Sequence, residues 1–196
     1  MPSPERAFIF DLDGTLADTM PAHFVAWTRV ANRHGLTFPE ARFYALGGVP
    51  TAKIAAMLIA EAGLDLDPLT VSHEKEEAYF DWLARGAGVV AIEPVLALAR
   101  RHRNEGPLAI ASGGVRRIVM RTLETLEIVD WFAAIVAAED TARHKPDPDV
   151  FLEAARRVHA APATCTVYED TDIGLEAARR AGMVGVDVRP LIKLSL

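Results

Sequence analysis

Asp11-Leu12-Asp13-Gly14-Thr15 places two carboxylates two residues apart, directly after the apolar run Ala7-Phe8-Ile9-Phe10. Residues two apart in an extended chain point the same way, so both acids can address one ligand from one side. Three further apolar runs end in polar residues. Ser112-Gly113-Gly114 follows residues 108–111, Lys145 lies in the loop beyond residues 134–137, and Glu169-Asp170 closes residues 164–168. Asp11, Asp13 and Asp170 offer hard oxygen ligands without imidazole or thiolate, which suits Mg²⁺ better than zinc. Lys145 adds a point charge and Ser112 a hydroxyl. Gly113 and Gly114 let backbone N–H groups come close to a ligand, just before a helix whose N-terminus favours anions. Together these groups describe a phosphate cradle. Within it, one carboxylate of the Asp-x-Asp pair can attack phosphorus. The other can protonate the leaving oxygen and later take a proton from water.

For these groups to meet, the apolar runs must lie side by side. Continuous apolar character over four or five residues indicates strands covered on both faces, as in a parallel sheet. A fifth run covers residues 184–188, and helical patterns cover residues 95–102, 115–126, 149–159 and 174–181. Strand–helix alternation of this kind predicts a doubly wound α/β parallel sheet, whose ligands bind at the carboxyl ends of the strands. Residues 18–88 break the rhythm. They hold no strand pattern but read as helices over 21–34, 40–45, 51–62 and 68–85, with Thr19 as a cap for the first and Gly35 as its stop. An all-helical insert (18–88) is therefore expected inside an α/β core (1–17 and 89–196), with Gly86-Ala87-Gly88 as the return hinge.

Composition excludes several other classes. The 196 residues are 51% hydrophobic and 24% charged, the balance of a globular domain with an ordinary core. Cys165 is the single cysteine, so there is no intramolecular disulfide and no all-cysteine metal site; in a core strand it reads as packing. The net charge of −6 repels nucleic acid and anionic lipid at long range, so neither is an expected partner. No run is long enough to span a membrane, and the opening MPSPERAFIF lacks the pattern of a signal peptide. A cytosolic monomer is the expectation.

Four stretches, DLDGTLADT from Asp11, ASGG from Ala111, KPDPD from Lys145 and YEDTDIGLEAARRAGM from Tyr168, resemble the ordered motifs of the haloacid dehalogenase superfamily. PAHFVAW from Pro21, GGVPTAKIA from Gly47, HEKEEA from His73 and the terminal VDVRPL are similar to its β-phosphoglucomutase-like branch. Within that branch, phosphatases of fructose 1-phosphate or 6-phosphogluconate are the nearest in kind. The resemblance implies a Rossmann-like core, an α-helical cap and Mg²⁺. It also implies Asp11 as nucleophile, Asp13 as general acid/base, and Ser112, Gly113 and Lys145 as phosphate ligands. Asp11, the Asp13 carbonyl and Asp170 would hold the metal, supported by Glu169. His23, Lys53 and Lys75 fall in cap segments that handle substrate or closure in relatives.

Each residue also has a plainer reading. Asp11 and Asp13 could form a turn, Glu169-Asp170 could cap the following helix, and Lys53 and Lys75 could be solvated helix lysines. The five histidines other than His23 are expected at the surface, and Trp27, Val30 and Ala31 in the insert's core. Asp147 beside Lys145, where relatives often have a small residue, could weaken phosphate attraction or face solvent. Among rival functions, a β-phosphoglucomutase shares the aspartyl-phosphate, but its group tends to carry valine where Thr15 stands. A phospho-aspartate receiver module lacks a helical insert after its first strand. A dehalogenase proper has no use for the metal-site acids.

Overall fold

The computed structural model describes residues 6–84 and 89–193. It divides into two compact units, Met1–Asp18 with Val89–Leu196, and Thr19–Gly88. The expected hinge at Gly86-Ala87-Gly88 lies outside the described residues.

In the first unit, β1 (Ala7–Phe10), β4 (Leu108–Ala111), β5 (Ala134–Val136), β6 (Cys165–Glu169) and β7 (Val184–Asp187) form one parallel sheet in the order β5-β4-β1-β6-β7. All four residues of β1 and of β4 are buried, as continuous apolar runs require when helices cover both faces. Side chains alternate across that sheet. Ala7 and Ile9 join the cluster beneath α7 (Asp149–Arg157) and α8 (Asp172–Arg180), with Phe151, Ala154, Ala177 and Ala178. Phe8 and Phe10 serve the other face. Phe8 stacks on His102 of α5 (Glu93–His102) with ring centroids 3.9 Å apart, and Phe10 stacks on Tyr168 at 4.7 Å. The chain leaves β1 for β4 and β5 on one side and returns to β6 and β7 on the other. The order therefore reverses at β1, and a crevice opens at the carboxyl ends of β1, β4 and β6.

The second unit holds α1 (Met20–His34), α2 (Glu40–Ala45), α3 (Thr51–Ala62) and α4 (Pro68–Ala84). Its core gathers Trp27, Val30 and Ala31 of α1, Phe43 of α2, Ile54 and Leu58 of α3 and Val71 of α4, with Phe38 from the link between α1 and α2; the residues of α1 and α3 are spaced to line one stripe of each helix. Gly35 ends α1 in the left-handed conformation at φ 68°, where its N–H reaches back to Asn32 O.

Four sequence readings need correction. Thr19 precedes α1 but makes no side-chain cap; the helix starts at Met20 with Pro21 in its first turn. Two short strands were not foreseen: β2 (Ala17–Asp18) and β3 (Val90–Ala91) pair antiparallel on either side of the insert. A two-residue strand shows no periodicity to read. Glu169 and Asp170 do not cap α8; Thr171 does, its side chain accepting from Gly174 N–H. His102 is buried, with Nδ1 3.0 Å from Glu105 Oε2 and Nε2 2.6 Å from Tyr168 Oη. The basic run Arg100-Arg101-His102-Arg103 disguised it as a solvent-facing residue.

Candidate active site

The backbone turn after β1 sets the site. Asp11 N–H donates to Tyr168 O at 3.0 Å, which continues the β1–β6 ladder one residue beyond the strand. The chain then turns tightly, with Leu16 N–H and Ala17 N–H both donating to Leu12 O and Gly14 N–H to Ala17 O. Gly14 is required twice over. Its φ of 85° suits glycine, and a Cβ there would collide with the Asp170 carboxylate.

At the bottom of the crevice Lys145 joins two acids from different strands. Its Nζ donates to Asp11 Oδ1 at 2.7 Å and to Glu169 Oε1 at 2.6 Å, with all three residues buried. The ammonium also lies 4.9 Å from the centre of the Phe151 ring. The Lys145–Pro146 peptide is cis. Glu169 is fully engaged. Oε2 accepts from the N–H and the hydroxyl of Thr171 at 2.7 and 2.8 Å, and a Cβ on Gly174 would run into its carboxylate. Its contribution is to hold Lys145 in place. Asp147 lies away from this group, 3.8 Å from Arg180, with its side chain two-fifths exposed.

Asp170 receives the Thr15 hydroxyl on Oδ1 at 2.9 Å. Ser112 Oγ accepts Gly114 N–H at 3.0 Å and stands 3.5 Å from Asp13 Oδ2, a long contact. Gly114 is crowded by Ser112 Oγ, Val119 and Asp13, whereas a Cβ at Gly113 would meet only open space. Gly113 is itself exposed, so a ligand can approach it from solvent. The neighbouring helix is less available than its sequence position suggests. α6 (Arg116–Thr125) follows Val115, which cannot cap, and the Glu139 carboxylate accepts Arg116 N–H with both oxygens at 3.0 and 2.9 Å. An acid of the protein already stands at that helix N-terminus and Gly114 N–H is taken by Ser112 Oγ, so of the two glycine amides it is that of Gly113 that is left for an incoming anion.

Charge in the site is unbalanced. Burial raises the Asp11 pKa well above the ordinary carboxylate range; Lys145 opposes this, while Glu169, Asp170 and Asp13 reinforce it. Burial, then the charge of Glu169, raises Asp170 to about 6 against the pull of Thr15 and Lys145. Lys145 itself is raised above the ordinary lysine range. Burial works to lower it, but Asp11 and Glu169 outweigh that. Four carboxylates thus face a single ammonium, an arrangement that favours a further cation. The donors are oxygens only, as Mg²⁺ prefers. Among the described residues no three Asp, Glu, His or Cys side chains form a closed metal cage. Mg²⁺ is commonly held by one or two carboxylates plus water and substrate oxygens, so Asp11, Asp170 and the Asp13 carbonyl fit it.

In the second unit the structure brings two of the three expected residues together. Lys75 is buried, its Nζ 2.8 Å from His23 Nδ1, and both lie against Tyr79; the His23 ring stacks on it at 3.8 Å. Lys75 is therefore not the solvated lysine its helical context suggested. Lys53 is exposed in the first turn of α3. Sequence reasoning missed Thr171 and Gly174 as the supports of Glu169, and Thr15 as a partner of Asp170; only their places in motifs hinted at them.

The model of the haloacid dehalogenase-like hydrolase family matches residues 5–182. The chain belongs to the haloacid dehalogenase-like hydrolases. This hydrolase is 39% identical over 183 residues to the fructose-1-phosphate phosphatase YqaB of Escherichia coli, covering 93% of this chain and 96% of that protein. It is 30% identical over 188 residues to the β-phosphoglucomutase of Bacillus subtilis, covering 93% of this chain and 82% of that protein. A solved β-phosphoglucomutase from Clostridium difficile has the same fold, with a TM-score of 0.81 at 24% identity over 93% of this chain and 83% of that one. Among haloacid dehalogenase-like hydrolases with these relatives, the chain is a phosphoric monoester hydrolase. Among the described residues no helix is long and apolar enough to cross a membrane.

Proposed function

We propose that the chain is a Mg²⁺-dependent phosphatase of a small phosphorylated sugar or sugar acid, working through an aspartyl-phosphate on Asp11. The observation that carries this reading is the Lys145 ammonium bridging Asp11 and Glu169 at the reversal point of the sheet, with Ser112 and the open Gly113 amide across the crevice. Lys145 orients the Asp11 carboxylate and offers positive charge to a phosphoryl oxygen. An Asp11 oxygen attacks phosphorus, and the ester oxygen leaves with a proton from Asp13. Asp13 then takes a proton from water as that water attacks phosphorus, which frees Asp11 and releases phosphate. Held by Asp11, Asp170 and the Asp13 carbonyl, Mg²⁺ would neutralise charge on the phosphoryl oxygens. Ser112 and Gly113 N–H would bind those oxygens from the other side. His23, Lys53 and Lys75 would handle the remainder of the substrate, in a monomeric cytosolic enzyme with no nucleic-acid or membrane partner.

The relatives' names put fructose 1-phosphate first among substrates to try. Phosphate release from a panel of sugar phosphates with Mg²⁺, including 6-phosphogluconate and β-glucose 1-phosphate, is the decisive assay. Rapid hydrolysis of one or a few is expected. Isomerisation that needs a bisphosphate primer and yields negligible phosphate would replace this reading with a mutase.

Metal binding should also titrate. With Asp170 near 6, protons and Mg²⁺ compete for it below that pH, so the half-saturating Mg²⁺ concentration is expected to rise about tenfold per pH unit there. Because its folded-state pKa lies above the unfolded value, the contribution of Asp170 to the stability of the metal-free protein falls as pH rises through 4 to 6. Mg²⁺ should accordingly raise the melting temperature more at pH 7.5 than at pH 5, measured by thermal unfolding. Asp170→Asn should flatten both dependences.

A further inference from the structure

The loop that carries Ser112 and Gly113 is tied at four points to a single stretch that begins at the last residue of β5, Val136. Ser112 N–H donates to Val136 O at 3.0 Å, and Ala138 N–H donates to Gly114 O at 2.9 Å. Glu139 accepts Arg116 N–H, and the Arg116 guanidinium reaches Asp140. Asp140 is the hub of this stretch. Its Oδ2 accepts Ala137 N–H at 2.8 Å as well as Arg116, and its Oδ1 accepts Arg157 NH2 at 2.8 Å. Arg157 in turn donates to Ile135 O at 2.9 Å and to Glu153 at 2.7 Å. Burial works to raise the Asp140 pKa, but the Ala137 amide and the two arginines outweigh it and hold the carboxyl below the ordinary range. Asp140 is thus an anion at neutral pH, fixed by donors on three sides.

This arrangement is more than a surface ion pair. Exposed pairs contribute little, but Asp140 has a mostly buried carboxylate and shapes the turn Ala137–Asp140 through its own backbone bond. That turn presents Ala138 N–H to Gly114 O, and through Arg116 it fixes the far end of the same loop. We propose that Asp140 is a positioning residue for the phosphate loop, holding Ser112 and the Gly113 amide where a phosphoryl group is bound, without touching substrate itself. The inference rests on the phosphatase reading above.

The test is direct binding of inorganic phosphate in the presence of Mg²⁺, by calorimetry, to the parent, Asp140→Asn, Ser112→Ala and the double variant. Asp140→Asn keeps an oxygen for Ala137 N–H and removes the charge that holds Arg116. It is expected to raise the phosphate dissociation constant about tenfold, the size of effect of a lost charged hydrogen bond. In the Ser112→Ala background the same change should raise it less than about twofold, because two residues acting through one loop are not additive. A role in stability alone would lower the melting temperature of Asp140→Asn and leave both constants unchanged, which overturns the proposal. Equal effects in the two backgrounds would overturn it too. Should Asp140→Asn fail to fold, Arg116→Met cuts the same tie from the loop side and is read the same way. A parent protein that binds no phosphate would sink the phosphatase reading together with this one, whereas a parent that binds and a variant that binds equally sinks this one alone.

Discussion

Asp11→Asn is expected to abolish phosphate release, by at least about 10⁴-fold, while leaving the metal-free fold as stable as the parent or more so. The two outcomes have separate causes. An amide cannot attack phosphorus to give the acyl-phosphate, and no other described carboxylate is held by Lys145 in the crevice except Glu169, whose second oxygen is occupied by Thr171. Stability goes the other way because Asp11 carries its charge at a cost. Burial and three neighbouring acids push its pKa up, and a raised carboxyl destabilises the fold at pH values where it is ionised. Asparagine is similar in size, uncharged, and still offers an oxygen to Lys145. Phosphate release and thermal unfolding on the same preparation check both halves. Appreciable residual turnover would place the nucleophile elsewhere, and a large fall in melting temperature would mean the charge is needed for folding.

Lys145→Met is expected to have the largest effect on stability, about 3–5 kcal/mol at neutral pH, together with loss of turnover. The methionine stem fits beside Phe151, but the Asp11 and Glu169 carboxylates lose the ammonium they share. Two buried anions would then face each other without a counter-charge, and removing one partner of a buried pair costs more than the pair itself contributes. The loss should shrink as the pH falls, because the orphaned carboxyls take up protons. In the parent the contribution persists through the neutral range: the lysine's pKa is raised on folding, so its stabilisation is lost only as alkaline pH passes the folded-state value. Denaturant unfolding of both proteins at pH 5 and 7.5 gives the comparison. An equal difference at the two pH values would show that packing, not charge, is what Lys145 supplies.

Much of this was legible in the sequence because it is local. Four consecutive apolar residues before Asp11 require a strand covered on both sides, and β1 is buried along its whole length. The insert's helices could be read almost to the residue from their apolar stripes and, for α1, from its stop at Gly35. The meeting of Asp11, Lys145 and Glu169 follows once the strands are parallel, since each residue lies at or beyond a carboxyl end. What stayed hidden depends on partners distant in sequence. Lys75 stands in a polar run, His73-Glu74-Lys75-Glu76-Glu77, that looks solvated until its helix packs on α1 and His23. Asp140 sits in what reads as an ordinary polar loop, and its two arginines lie 24 residues before and 17 after it. Such pairings leave no periodic trace. The β2–β3 ribbon is hidden for another reason: its strands are shorter than one period of any pattern.

That ribbon has an architectural consequence. Asp18 and Val90 are opposite one another in the ladder, and Ile92 N–H donates to Leu16 O two residues along. Pairs of this type alternate, so 18 and 90 occupy a hydrogen-bonding position with Cα atoms about 5.5 Å apart. A two-residue turn closes a hairpin at such a pair. The seventy-odd residues between them leave and re-enter the α/β unit through one doorway no wider than a β-turn. The polypeptide could be shortened to Asn-Gly at that threshold without altering the path of any strand in the sheet, and longer or differently folded inserts could occupy it equally well.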